Sequence, residues 1–129
     1  MNEPEWIDFD VVLAIHDEQL AEHGGSSGIR DQGLLESALV RPRNLFAYSP
    51  HATIRELAAT YVVGIGKNHG FVDGNKRTGW VVGAVVLELN GVTVTADQSD
   101  VVRIMFGIAD GSISEKALVS WLERADVTA

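Results

Sequence analysis

Ile54-Arg55-Glu56-Leu57-Ala58-Ala59-Thr60-Tyr61-Val62-Val63-Gly64-Ile65 puts Ile54, Leu57, Ala58, Tyr61, Val62 and Ile65 at the i, i+3, i+4, i+7, i+8 and i+11 spacing of one helix face. It is the clearest helix in the chain. Four residues further along the same stripe stands His69, so its imidazole leaves the end of a buried face and enters a loop. Beyond that loop, Asn75 to Leu89 carries Trp80, Val81, Val82, Ala84, Val85, Val86, Leu87 and Leu89 and is apolar almost all round, as in a helix at the centre of a core. Gly79 and Gly83 in it would admit a neighbouring helix to close range, at a propensity cost of about 1 kcal/mol each.

Working outward, the helical period recurs on both sides. Upstream, about Asp8 to His23 carries Phe9, Val12, Leu13 and Leu20 on one face and stops at the loop Gly24-Gly25-Ser26-Ser27-Gly28. A short helix is expected from Asp31 as N-cap through Leu34, Leu35, Ala38 and Leu39, ending before Pro42. Arg41 to Pro50, with Leu45, Phe46 and Tyr48, shows no helical pattern and reads either as an irregular connection or as an extended flap. Downstream of Asn90-Gly91, Val92-Thr93-Val94-Thr95 alternates like a short strand. Val101, Val102, Met105, Phe106 and Ala109 mark a fifth helix, and Ser112 with Glu115 suggests a capping box for a sixth that buries Ala117, Leu118, Trp121 and Leu122. The expected fold is all-α: a compact bundle of about six helices around the buried fourth helix, with a possible short β segment.

With 129 residues and 46% hydrophobic content, the chain has the size of one domain, 1-129, with a single core. Its formal net charge of -8 opposes direct binding to nucleic acid or to an anionic membrane, both of which need a basic face. There is no cysteine, which excludes disulfides, thiolate nucleophiles and zinc fingers. The acidic start Met1-Asn2-Glu3-Pro4-Glu5 is unlike a secretory signal, and no stretch reaches the roughly 20 apolar residues of a membrane span, so a cytoplasmic location is expected.

Chemistry concentrates in His69-Gly70-Phe71-Val72-Asp73-Gly74-Asn75-Lys76-Arg77, between the two best-defined helices. The free backbone N–H groups of the following helix's first turn, near Gly74, Asn75 and Lys76, point outward with the positive end of the helix dipole and suit a phosphate. Gly74 lets the backbone approach the anion, and Lys76 and Arg77 add charged donors. In an acidic chain, Lys67, Lys76 and Arg77 form a local reversal of charge that a polyphosphate would explain. Asp73 at the mouth of this cradle is placed for Mg²⁺, which is commonly held by one or two carboxylates with phosphate oxygens and water. His69 has the chemistry of a general base, because imidazole titrates near neutrality. Phe71 would anchor the loop in the core.

Each residue alone also has a plain reading. Asp73 would serve as an N-cap, Lys76 and Arg77 as solvated charges, and His69 as a structural or solvated side chain. The combination of base, carboxylate, glycine, amide and two cations is what points to catalysis. His16 reads as a core or half-buried residue, His23 as a helix-end residue and His51 as a loop residue.

His69 through Thr78 resembles the signature of the Fic/Doc superfamily, in the form found in death-on-curing (Doc) toxins, where lysine replaces the glycine of adenylylating Fic enzymes. Gly28-Ile29-Arg30-Asp31, Gly33-Leu34-Leu35-Glu36 and the apolar helix ending at Asn90-Gly91 extend the likeness over nearly the whole chain. The resemblance implies His69 as the base that activates a target hydroxyl and Asp73 as the Mg²⁺ ligand. It also implies Gly74, Asn75, Lys76 and Arg77 as nucleotide-phosphate contacts. It departs from AMP-transferring Fic enzymes at Lys76, whose side chain would crowd the usual phosphate position, and at Trp80, where a second arginine is usual. The implied activity is that of the Doc branch, a kinase using ATP on a threonine of elongation factor Tu and halting translation, controlled by a separate antitoxin protein. No match to the (Ser/Thr)-x-x-x-Glu-(Gly/Asn) inhibitory helix of some Fic proteins occurs in the chain. Two other readings stay open: nucleotidyl transfer of AMP to a protein hydroxyl, and a non-catalytic module that binds an anion or a partner.

Overall fold

In the computed structural model, which describes residues 3–128, the element order is α1 (Phe9–His23), α2 (Gln32–Tyr48), α3 (Ile54–Lys67), α4 (Asn75–Leu89), β1 (Thr93–Thr95), α5 (Gln98–Asp110), α6 (Glu115–Arg124) and β2 (Asp126–Thr128). Among the described residues the fold is all-α, with six helices. The expected β segment is β1, which pairs antiparallel with β2 in the register Thr93 to Thr128, Val94 to Val127 and Thr95 to Asp126. Residues 1, 2 and 129 of the expected 1-129 domain lie outside the described residues. Among the described residues, no helix is long and apolar enough to cross a membrane.

One core draws Val12 and Ile15 from α1, Leu35 and Ala38 from α2, and Leu118 and Leu122 from α6 onto α3, α4 and α5. Each fully buried aliphatic side chain contributes about 1.5–3 kcal/mol of transfer free energy. The hub is α3 rather than the expected α4. It packs against α2, α4, α5 and α6, whereas α4 meets α1, α3, α5 and β1 and lines an open cleft with Lys76, Arg77, Trp80 and Val81, Trp80 also meeting Trp121 of α6 edge-on at 5.7 Å. The two helices do meet at the expected glycines. A Cβ on Gly79 would stand 2.9 Å from Val62 O and from Gly66 N, and one on Gly83 would overlap the Val62 side chain.

Three expectations are corrected. First, α2 does not stop before Pro42 but runs through it to Tyr48, so the stretch read as a connection or flap is largely helix. Interior proline costs about 3 kcal/mol, and packing offsets it. Pro42 is buried, Phe46 meets Trp6 edge-on at 5.9 Å between ring centroids, and the Arg43 guanidinium lies 5.4 Å above the Trp6 ring. Second, the cap of α6 is Ser114, whose side chain accepts from Ala117 N at 3.0 Å, while the Ser112 amide is taken by Asp110 Oδ1. Ala117, in that first turn, is exposed. Third, the apolar stripe of α5 is split: Val101 and Met105 enter the core, whereas Val102 and Phe106 are 51% and 59% exposed.

Candidate functional site

After Lys67 the chain leaves α3 through Asn68 and enters a turn in which His69 has φ 53, the one positive φ at a non-glycine residue among the described residues. This turn lies against Gly28–Asp31. The amides of Arg30 and Asp31 both donate to Gly70 O, at 2.8 and 2.9 Å, and the Val72 amide donates to Gly28 O at 3.0 Å. The Arg30 side chain donates from Nε to His69 O at 2.6 Å and from Nη2 to Asn68 O at 3.2 Å. Close approach requires glycine at position 70, since a Cβ there would sit 2.5 Å from the Leu35 side chain.

Phe71 is the core anchor the sequence suggested, 1% exposed. It stacks on the His16 ring with centroids 3.7 Å apart and planes 5° from parallel. His16 Nε2 is 2.8 Å from Asp73 O, and because a carbonyl only accepts, that nitrogen carries the proton. The Asn75 side chain closes the loop from below, accepting from Phe71 N at 2.9 Å and donating to Phe71 O at 3.0 Å. Residues 69–75 are therefore gripped from α1, from the segment before α2, and from α4.

Asp73 stands on this frame with its carboxylate exposed. Oδ2 accepts from Ser26 N at 3.2 Å and Oδ1 from Gly74 N at 2.8 Å. The Ser26 amide first, then the Gly74 amide, with smaller contributions from Arg77 and Lys76, hold its carboxyl below the ordinary aspartate value. Gly25 must be glycine for the Ser26 contact, because a Cβ would come within 2.8 Å of Asp73 Oδ2. Gly74 caps α4 with φ 78 and provides no side-chain cap. The Thr78 amide is the first to close back on the helix, to Gly74 O at 3.0 Å. The amides of Asn75, Lys76 and Arg77 precede it and have no intrahelical partner.

These amides open into a cleft of about 390 Å³. Asp73 to Arg77 line one end, Trp80 and Val81 continue along α4, Gln19 and His23 come from α1, and Gln98, Val102 and Phe106 from α5. Lys76 Nζ lies 5.0 Å from the Phe106 ring centroid, a cation–π contact that holds the ammonium within the cleft. Arg77 Nη2 donates to Gly24 O at 3.0 Å, while its Nε is buried without a hydrogen-bond partner.

The structure thus brings together Asp73, Gly74, Asn75, Lys76 and Arg77. Only the backbone N–H of Asn75 faces this task, because its side chain is occupied inside the loop. His69 and Lys67 are exposed but do not line the cleft. Sequence reasoning gave Arg30, Ser26 and Phe106 no part in the site, and read His16 as a core or half-buried residue. His16 is indeed 3% exposed. Its helical spacing signals burial, but nothing in the sequence links it to Asp73, 57 positions away.

Chemically, the arrangement offers unpaired amides, two cations and one ionised carboxylate around a concave space, a fit for phosphate. No group of three or more His, Asp or Glu among the described residues is placed to hold a metal. A divalent cation beside Asp73 would take its other ligands from phosphate and water, as Mg²⁺ commonly does.

A model of the Fic/DOC family matches residues 6–87. The chain is 33% identical over 113 residues to the protein kinase doc of Escherichia phage P1, covering 88% of this chain and 89% of that protein. It is 37% identical over 75 residues to the toxin Doc of Mycolicibacterium smegmatis, covering 57% of this chain and 58% of that one.

Proposed function

We propose, since the chain belongs to the Fic/DOC family, that it is a toxin acting as a protein serine/threonine kinase. It uses ATP and Mg²⁺ to phosphorylate a hydroxyl of a translation factor of the elongation factor Tu type, so inhibiting translation. A cognate antitoxin protein restrains it, as the likeness to Doc toxins implies.

The observation that carries the kinase reading is Lys76. It occupies the second position of the first turn of α4, inside the cleft and beside the unpaired amides. Where AMP-transferring relatives have glycine, this side chain takes up phosphate space and favours a nucleotide that presents its γ-phosphate. The amides of Asn75 to Arg77, with the Lys76 and Arg77 cations, stabilise charge on the transferring group. His69, on the solvent side of the loop where a protein can reach it, accepts the proton of the attacking hydroxyl. The new bond joins that oxygen to the γ-phosphorus, the bond to the β–γ bridging oxygen breaks, and ADP leaves. Mg²⁺ held by Asp73 and phosphate oxygens would neutralise part of the charge.

Incubation with a cell extract and ATP labelled at the α- or the γ-phosphate tests this. Label in a protein of elongation factor Tu size from the γ position alone is expected. Transfer from the α position would replace the kinase reading with AMP transfer.

A further inference from the structure

We propose that Arg30 is a positioning residue for His69, fixing the strained turn that presents the base; this rests on the reading of His69 as the base. A non-glycine residue at φ 53 persists only where its surroundings over-determine it, and such strain gathers at functional sites. Here the source is two adjacent residues from a distant segment. The Arg30 guanidinium takes the carbonyls of Asn68 and His69, while the amides of Arg30 and Asp31 take that of Gly70. Three consecutive carbonyls are pinned, one before His69, its own and one after, so both peptide planes that flank its Cα are held.

A simpler role for Arg30 would be to cap the C-terminus of α3, where a cation meets the negative end of the helix dipole. A cap needs only charge near the last carbonyls. The shortest contact instead falls on His69's own carbonyl, beyond the helix, and adjacent carbonyls are bridged by the planar fork of a guanidinium, which an ammonium cannot reproduce. The angle at which the imidazole meets a target hydroxyl follows from this turn, and a misplacement of about 1 Å can lower a rate about 100-fold.

The test compares Arg30→Ala, Arg30→Lys and His69→Ala for transfer kinetics, thermal midpoint and, by NMR, the amide-to-Hα coupling of His69. His69→Ala should abolish transfer. Arg30→Ala should lower kcat by about 100-fold, leave KM for ATP within about twofold, and move the His69 coupling toward extended values. Arg30→Lys should restore the midpoint without restoring kcat, and methylguanidinium added to Arg30→Ala should recover part of the rate. Transfer surviving in His69→Ala would overturn the reading of His69 as the base and the positioning role with it. Transfer lost in His69→Ala but undiminished in Arg30→Ala would overturn the positioning role alone. So would recovery of full rate by Arg30→Lys, or a His69 coupling unchanged in Arg30→Ala whatever the activity.

Discussion

At the start of α3, Thr53 Oγ1 accepts from the Glu56 amide at 3.2 Å and Glu56 Oε1 accepts from the Thr53 amide at 3.0 Å. At the start of α4 stands Gly74, with no side chain to offer. The charges differ as well. Helix α3 begins with an acid, as do α1, α5 and α6, even though α1 and α5 also lack a side-chain cap. Helix α4 has no acid in its first turn and carries Lys76 and Arg77 there instead. Cations at the positive end of a helix cost about 0.3–1 kcal/mol each, and glycine in place of a side-chain cap about a few tenths of a kcal/mol more. One helix start is closed by its own residues for stability. The other forgoes that stability, and an anion in the cleft would make up the deficit.

The largest effect that sharpens this contrast is expected from Lys76→Met. Removing a charge-assisted phosphate contact should weaken ATP binding by about 1.5–3 kcal/mol, or roughly 10- to 100-fold. The thermal midpoint should hardly change, because the lost cation–π contact with Phe106 is offset by relief of the unfavourable helix-dipole interaction of Lys76. Calorimetric titration with Mg·ATP measures it, and unchanged affinity would break the contrast.

The converse substitution, Thr53→Ala, should cost about 1 kcal/mol of folding stability through the lost cap while leaving ATP affinity as it was. Urea denaturation and the same titration read both quantities. A loss of affinity here would mean that the two helix starts are not functionally separate.

The smallest effect concerns Asp73. Its carboxyl lies below the ordinary value because the Ser26 and Gly74 amides, then Arg77 and Lys76, favour the ionised form. A depressed pKa in the folded state gives a contribution that is complete above the unfolded value of about 3.9. It is lost only as pH falls through the lower folded value. The link between Asp73 and the loop after α1 should therefore be constant from neutrality down to about pH 5. It should weaken only below the usual carboxylate range, as amide exchange at Ser26 would report. Weakening of that link already above pH 5 would contradict the assigned hydrogen bonds.

The helices were largely legible because α1, α3 and α4 obey the helical period and end at glycine or asparagine. Pro42 misled, since a local propensity rule cannot register that Trp6 and Phe46, 40 positions apart, pack together and carry the helix through it. Val102 and Phe106 misled in the opposite sense: their apolar side chains fit a core stripe, but they line the cleft. At the site, the contiguous segment from Asp73 to Arg77 was legible as a unit because a helix start brings its own amides and charges together. Arg30, Ser26 and His16 were not, because each acts through a hydrogen bond to a residue 39 to 57 positions away. No spacing rule reaches that far.

The most direct test is an amide NMR titration with Mg·ATP, following the first turns of both helices in one experiment. Shifts concentrated at Asn75, Lys76 and Arg77, with Ile54, Arg55 and Glu56 unmoved, are predicted. A saturable titration that leaves the α4 amides where they were would contradict a phosphate site at this helix start.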